Sequence, residues 1–171
     1  LKLNHAEKKT SILKPGPDYD TSAIRPSYMV FVSTDTQPDI EDITGFTPVE
    51  KYSRFDPISV NEIGATPDYR FILSPELTPY TDAGATTGVT GLVSSGTKVD
   101  VYPFLMMGKD AVYDVTLKGE DSFKVNHLGL KPDKSDPGGQ RGYIYCGFWD
   151  AVAIINGGYM GVIEAGTRTL T

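Results

Sequence analysis

The chain has 171 residues, among them 18 glycines, 12 prolines and 10 tyrosines, and a formal net charge of −6. An acidic balance argues against a dedicated nucleic-acid binder, because neutralisation of phosphates by lysine and arginine drives that affinity. A single cysteine, Cys146, excludes an internal disulfide framework. No apolar run approaches the roughly 20 residues that cross a bilayer. The size suits one domain, or one domain with a small appendage, and is enough to bury a core without disulfides or metal. Abundant turn formers and the lack of long amphipathic repeats point to a β-rich domain.

Residues 1–9 read as the last turns of a helix that begins upstream. The four lysines of 2–14, set against Glu7 alone, read as its solvated end rather than as a nucleic-acid contact. The chain opens at Leu1 rather than methionine, as expected of a fragment, a processed product or the ordered part of a longer chain. Its opening LKLNH lacks the apolar core of a signal peptide. Residues 15–18 (PGPD) forbid regular structure. Residues 26–33 (PSYMVFVS) predict a strand, rich in β-branched and aromatic side chains and bounded by turn formers. Residues 35–43 predict a short helix capped by Asp35 or Thr36, with Pro38 in its first turn, acids at its positive end, and Gly45 closing it in a left-handed conformation.

Residues 46–52 (FTPVEKY) suit a short extended or helical piece, and 68–73 (DYRFIL) a second strand. The turn-rich stretch 74–96, with its Thr-Gly-rich middle, predicts a mobile surface loop. From 97 to 107 the chain alternates at first, with Val99 and Val101 on one face. Pro103 then implies an edge, a bulge or a change of element. Residues 112–117 and 123–127 predict short strands around a turn at 118–121.

Residues 143–155 (YIYCGFWDAVAII) and 159–165 (YMGVIEA) flank Asn156-Gly157-Gly158. An Asn-Gly pair supplies the positive φ of tight hairpins, so the two segments predict one long antiparallel hairpin. Tyr143, Tyr145, Trp149, Ala151, Ala153 and Ile155 then share one face, and Ile144, Cys146, Phe148, Val152 and Ile154 the other. Asp150 and Glu164 are the only charges between Gly142 and Gly166. A two-stranded hairpin cannot bury two apolar faces unaided, and one left in solvent invites aggregation. A subunit built to assemble resolves this.

The residues offer no catalytic, metal or cofactor site. His5 and His127 are the only histidines, and Cys146 lies in an apolar strand, where a thiol acts as a small hydrophobe. The loop 133–138 (DKSDPG) lacks the alternating oxygen ligands and closing glutamate of a calcium loop. Neither a nucleophile elbow nor a phosphate-binding glycine loop is present. Asp56, Glu62 and Asp68 are carboxylates that a hydrolase would have to pair in space.

Four segments stand out together: 46–52; 62–76 with Glu62-Ile63-Gly64 and Arg70-Phe71; 101–113 (VYPFLMMGKDAVY); and 135–165. They hold Tyr102-Pro103, Gly108-Lys109-Asp110-Ala111 and Asp136-Pro137-Gly138-Gly139-Gln140-Arg141-Gly142 before the aromatic strand. In order and spacing they resemble the major capsid proteins of tailed phages typified by the N-four-type podophage coat. Gly139 and Cys146-Gly147 depart from that pattern, which commonly carries bulkier residues there. The resemblance implies an α+β, Hong Kong 97-type capsid fold, here its C-terminal portion. Residues 1–14 would end the long helix, 15–134 form the axial-type domain, and 135–171 form the C-terminal hairpin of the peripheral domain. The N-terminal arm and extended loop would lie upstream.

The implied function is a non-enzymatic subunit in the virion capsid, assembled in the host cytoplasm. Its partners would be copies of itself in pentamers and hexamers, with scaffolding and decoration proteins. The shell would enclose DNA without reading its sequence, and no membrane partner or cofactor is implied. Lys109, Asp136, Gln140, Arg141, Trp149, Asn156 and Gly157 are the candidate assembly or turn residues, with Arg141 anchoring the turn against Asp136. The alternatives are a β-rich phage tail or receptor-binding module, favoured by the aromatic content and the Thr-Gly loop, and a small hydrolase using paired carboxylates.

Overall fold

The computed structural model describes residues 1–14, 23–52, 57–86, 91–115 and 123–169. The chain is β-rich with few helices and divides into two compact units, Leu1–Ala111 with Asn156–Thr171, and Val112–Ile155.

The first unit is built on β1 (Tyr28–Val32), a strand whose alternate residues Tyr28, Val30 and Val32 are buried. This is the period-2 pattern of a strand with one face on the core. β1 pairs in parallel with β4 (Tyr69–Leu73), from Tyr28 opposite Tyr69 to Val32 opposite Leu73. On its other side it pairs antiparallel with β5 (Tyr102–Met107). β2 (Thr47–Pro48) and β3 (Glu62–Ala65) extend the sheet beyond β4, and β10 (Met160–Ala165) closes it against β5. The order is β10-β5-β1-β4-β3-β2. Pro103 lies within β5, beyond the three residues that pair with β1 and opposite Glu164 of β10. Its missing N–H is therefore tolerated at a local edge.

Between β1 and β4 the chain forms α1 (Gln37–Glu41), with Pro38 in the first turn and Gly45 at φ +85° beyond its end. Thr36 occupies the cap position but does not cap: its hydroxyl donates to the Ser33 carbonyl at 2.7 Å. α1 holds because Ile40 is buried against Val30, Val32 and Phe71, with Phe46, Ile63 and Phe104 around them. A five-residue helix has almost no intrinsic stability. This burial, on the order of 1.5–3 kcal/mol for one such side chain, fixes it.

The second unit contains two antiparallel ladders, β6 (Val112–Asp114) with β9 (Val152–Ile154) and β7 (Phe123–Leu128) with β8 (Tyr143–Phe148). In chain order β7–β8 nests inside β6–β9; the two ladders are together called the ribbon, and residues 129–142, which join β7 to β8, its tip.

Several expectations are corrected. Residues 143–155 and 159–165 do not pair: β8 takes β7, β9 takes β6, and β10 takes β5. The Asn156-Gly157 step is not a hairpin turn. Asn156 sits at φ −132°, Gly157 is not among the positive-φ glycines, and the Asn156 side chain accepts from the Gly158 N–H, opening a 3-10 turn at Gly157–Tyr159. Residues 1–9 are not the end of a long helix. They make one 3-10 turn, Lys2–Asn4, broken by left-handed His5, after which the Lys9 and Thr10 N–H groups bond Ser27. Of the mobile loop expected in the Thr-Gly-rich middle, 87–90 lie outside the described residues, and the stretch around them is bonded to the rest of the unit. Tyr80 bridges Val101, the Gly84 N–H donates to Val99, and the Val93 N–H donates to Thr167. Residues 46–52 combine both options, β2 followed by a 3-10 turn at Val49–Lys51. The break at 15–18, Asp56 and the turn at 118–121 lie outside the described residues.

Ile40→Ala should lower stability by about 2–5 kcal/mol. In urea unfolding the midpoint should fall with an unchanged m-value.

Candidate functional site

The ribbon carries an unusual amount of uncovered apolar surface. By register, Phe123, Val125, Ile144, Cys146 and Phe148 share one face of β7–β8 with His127, while Lys124, Asn126, Leu128, Tyr143 and Tyr145 share the other. All eleven are exposed, Phe148 at 73%. Trp149, Val152, Ile154 and Ile155 continue the exposed apolar run. A ribbon of two strands has no second layer to cover such a face, and isolated it is marginally stable. Cys146 is therefore exposed, not a buried thiol as its apolar strand suggested. It stands opposite Val125, and His127 stands opposite Ile144.

The tip places Asp136, Gln140 and Arg141 together. Asp133 and Asp136 exchange backbone bonds of 3.0 Å, and the Asp136 carboxylate accepts the Arg141 N–H at 2.7 Å. The expected pairing of these two residues is thus made through the main chain of Arg141. Gly139 has φ +60°, and a Cβ there would meet Pro132 at 3.0 Å. This explains why glycine stands where bulkier residues were expected.

In the first unit, Lys109 and Asn156-Gly157 join one neighbourhood. The Lys109 ammonium pairs with Glu7 at 3.0 Å and its N–H donates to the Glu7 carbonyl. The Gly108 N–H donates to Tyr159, the Asn156 N–H donates to Ala111 at 3.4 Å, and the Asn4 side chain donates to the Gly158 carbonyl. The two chain crossings that bound the ribbon, at 111 and 156, are thereby held side by side. Trp149, in the other unit, has no part in this cluster.

Three polar clusters had no reading from sequence. Asp39 accepts from Thr167 and Arg168, and Arg168 also reaches Asp42 at 2.6 Å, tying the end of the chain to α1. Burial raises the Asp39 pKa, but the bonds from Thr167 and Arg168 outweigh it and hold the carboxyl below its ordinary value. Buried Asp100 accepts from Ser95 and the Asp82 N–H, which hold it low and fasten the 74–101 stretch. Glu62 and Arg70 form a buried pair beneath Tyr52, whose hydroxyl donates to Glu62 at 2.7 Å. Burial, then Glu62, push that hydroxyl upward. Asp68, by contrast, lies near the surface between Lys2 and Lys8, at 2.6 and 2.7 Å. The carboxylates of Glu62 and Asp68 therefore serve different cations and do not converge as a hydrolytic pair would. Among the described residues no group of three or more His, Cys, Asp or Glu gathers as a metal site, and no helix is long and apolar enough to cross a membrane.

No protein-family model matches the chain. It is similar to a phage major capsid protein. The relative is the major capsid protein of Pseudomonas phage KPP21, 26% identical over 166 residues, a match covering 86% of this chain. The chain spans 42% of the length of that protein.

Two outcomes follow from this geometry. Asp136→Ala should loosen the tip, with faster hydrogen exchange at the Arg141 amide. Arg141→Ala keeps the N–H and should leave that amide protected. Hydrogen bonds from Lys2, then Lys8, hold Asp68 below 3.8. A depressed carboxylate contributes stability that is full above its unfolded pKa and is lost as pH falls through the folded value. The melting temperature should therefore drop less below pH 3.8 in Asp68→Asn than in the parent.

Proposed function

We propose that this chain is part of a tailed-phage major capsid subunit of the Hong Kong 97 type. Copies of it would associate as pentamers and hexamers of an icosahedral shell that encloses the genome. The uncovered apolar face of β7–β8 carries this reading. Phe123, Val125, Ile144 and Phe148 form a patch that no described residue of the chain covers, and such patches mark protein–protein contact. The similarity to a major capsid protein, and the ordered motifs from 46 to 165, name the kind of contact. The six-stranded mixed sheet would be the axial-type domain.

The role is structural and non-enzymatic, in the virion capsid, after assembly in the host cytoplasm. Trp149 and the tip residues Asp136, Gln140 and Arg141 would meet neighbouring subunits. Lys109, Asn156 and Gly157 would set the base from which the ribbon leaves. Scaffolding and decoration proteins are the further partners, and DNA would be enclosed without base-specific contact, in keeping with the net charge of −6.

Electron microscopy of the full-length protein, expressed alone and with its neighbouring genes, should show shells, tubes or capsomer-like rings. Their absence under both conditions would sink the reading. Phe148→Asp should abolish these assemblies while leaving the circular dichroism spectrum of the subunit unchanged. Assembly at the parental level by this variant would remove the ribbon face from the contact.

A further inference from the structure

We propose that the cleft beside Arg70 binds one small oxyanion of the phosphate or carboxylate class. The cleft has a volume of about 260 Å³ and is lined by Lys9, Thr10, Ser11, Ile58 and Arg70, among others. The Arg70 side chain is only 3% exposed, yet its Nε and Nη2 have no hydrogen-bond partner among the described residues. Buried polar groups are nearly always partnered, and a guanidinium cannot escape its charge by losing a proton.

The Glu62 carboxylate does not answer the need. Glu62 Oε1 lies 3.8 Å from Arg70 Nε, beyond hydrogen-bonding distance. Both Glu62 oxygens are already engaged, Oε1 by the Tyr52 hydroxyl at 2.7 Å and Oε2 by the Ile58 N–H at 2.6 Å. The Tyr52 ring lies 5.4 Å from the guanidinium carbon and covers one of its faces. What stays without a partner among the described residues is the buried edge formed by Nε and Nη2. That edge presents two parallel N–H donors, the fork that grips a carboxylate or phosphate in bidentate fashion.

The rest of the cleft suits such a guest. Lys9, a second cation, and Ser11, a hydroxyl bearer, also line it, with Ile58 supplying apolar surface. The shared chemistry has two sources, a free inorganic anion or a carboxylate side chain of a second copy of the chain. The proposal stands independently of the capsid reading, since it rests on Arg70 and its surroundings alone.

The test is titration of the protein with inorganic phosphate and, separately, with acetate, at constant ionic strength maintained with chloride. Binding is followed by calorimetry and by the Arg70 Nε–H resonance in nitrogen-15 spectra. Saturable binding of at least one anion, with a matching shift of that resonance, is expected. Phosphate binding assigns the site to a free anion, and acetate without phosphate assigns it to a protein carboxylate. Arg70→Lys keeps the charge but loses the fork and should weaken binding about tenfold or more. Lys9→Ala should weaken it by a smaller factor. Absence of saturable binding by both anions, binding that leaves the Arg70 resonance unmoved, or full affinity in a folded Arg70→Lys variant would overturn the proposal. If Arg70→Lys fails to fold, the resonance of the parent protein decides.

Discussion

β1 and β4 run parallel, and a parallel pair cannot be joined by a tight turn. The chain must leave the end of β1, cross one face of the sheet and return to the start of β4. α1, β2 and β3 are laid down along that path, and Ile40 is brought over Val30, Val32 and Phe71. The same pairing leaves the opposite edge of β1 open for β5, and β5 in turn receives β10 from the far end of the chain. Arg168 and Thr167, just beyond β10, then reach Asp39 on α1 and close the crossover from the side. Most of the first unit is a consequence of one parallel contact.

Local signals in the sequence were good guides to local structure. PSYMVFVS gave β1, DYRFIL gave β4, and Pro38 and Gly45 marked the two ends of α1. Each of these depends on a handful of adjacent residues. Pairing was harder to read because it depends on residues far apart in sequence. The segments 143–155 and 159–165 look like the arms of one hairpin, but Asn156 bonds its own downstream backbone and avoids positive φ. Each arm then finds a partner upstream. At the tip, Asp136 and Arg141 were legible as a pair, though not the atoms that join them. The Arg70 cleft had only a trace in the sequence, Glu62 and Arg70 falling within a segment noted for its family resemblance. Their burial under Tyr52 depends on two strands and a 3-10 turn meeting, which no spacing encodes.

The two units have opposite surface economies. The first has two buried apolar clusters and satisfies most of its buried polar groups internally, although Leu3, Val60 and others stay exposed. The second exposes nearly every large apolar side chain among its described residues. Each is physically coherent for a different condition, the first for a monomer in water, the second for a surface that is covered by something else. Under the proposed capsid role, the first unit would keep its shape and the second would make the contacts.

The ribbon enters the chain between β5 and β10, which are neighbours in the sheet, and its two ends are pinned together where the Asn156 N–H meets Ala111. Closing a loop whose ends already touch adds little entropic cost as the loop grows, each doubling costing only about 0.6 kcal/mol. The register of β5 against β10 is set by their own six paired residues, not by what lies between. The ribbon is therefore modular. Its length, its tip and the chemistry of its faces are free to diverge while the pairing of the six-stranded sheet stays the same, so that one scaffold can carry ribbons of different reach and contact chemistry.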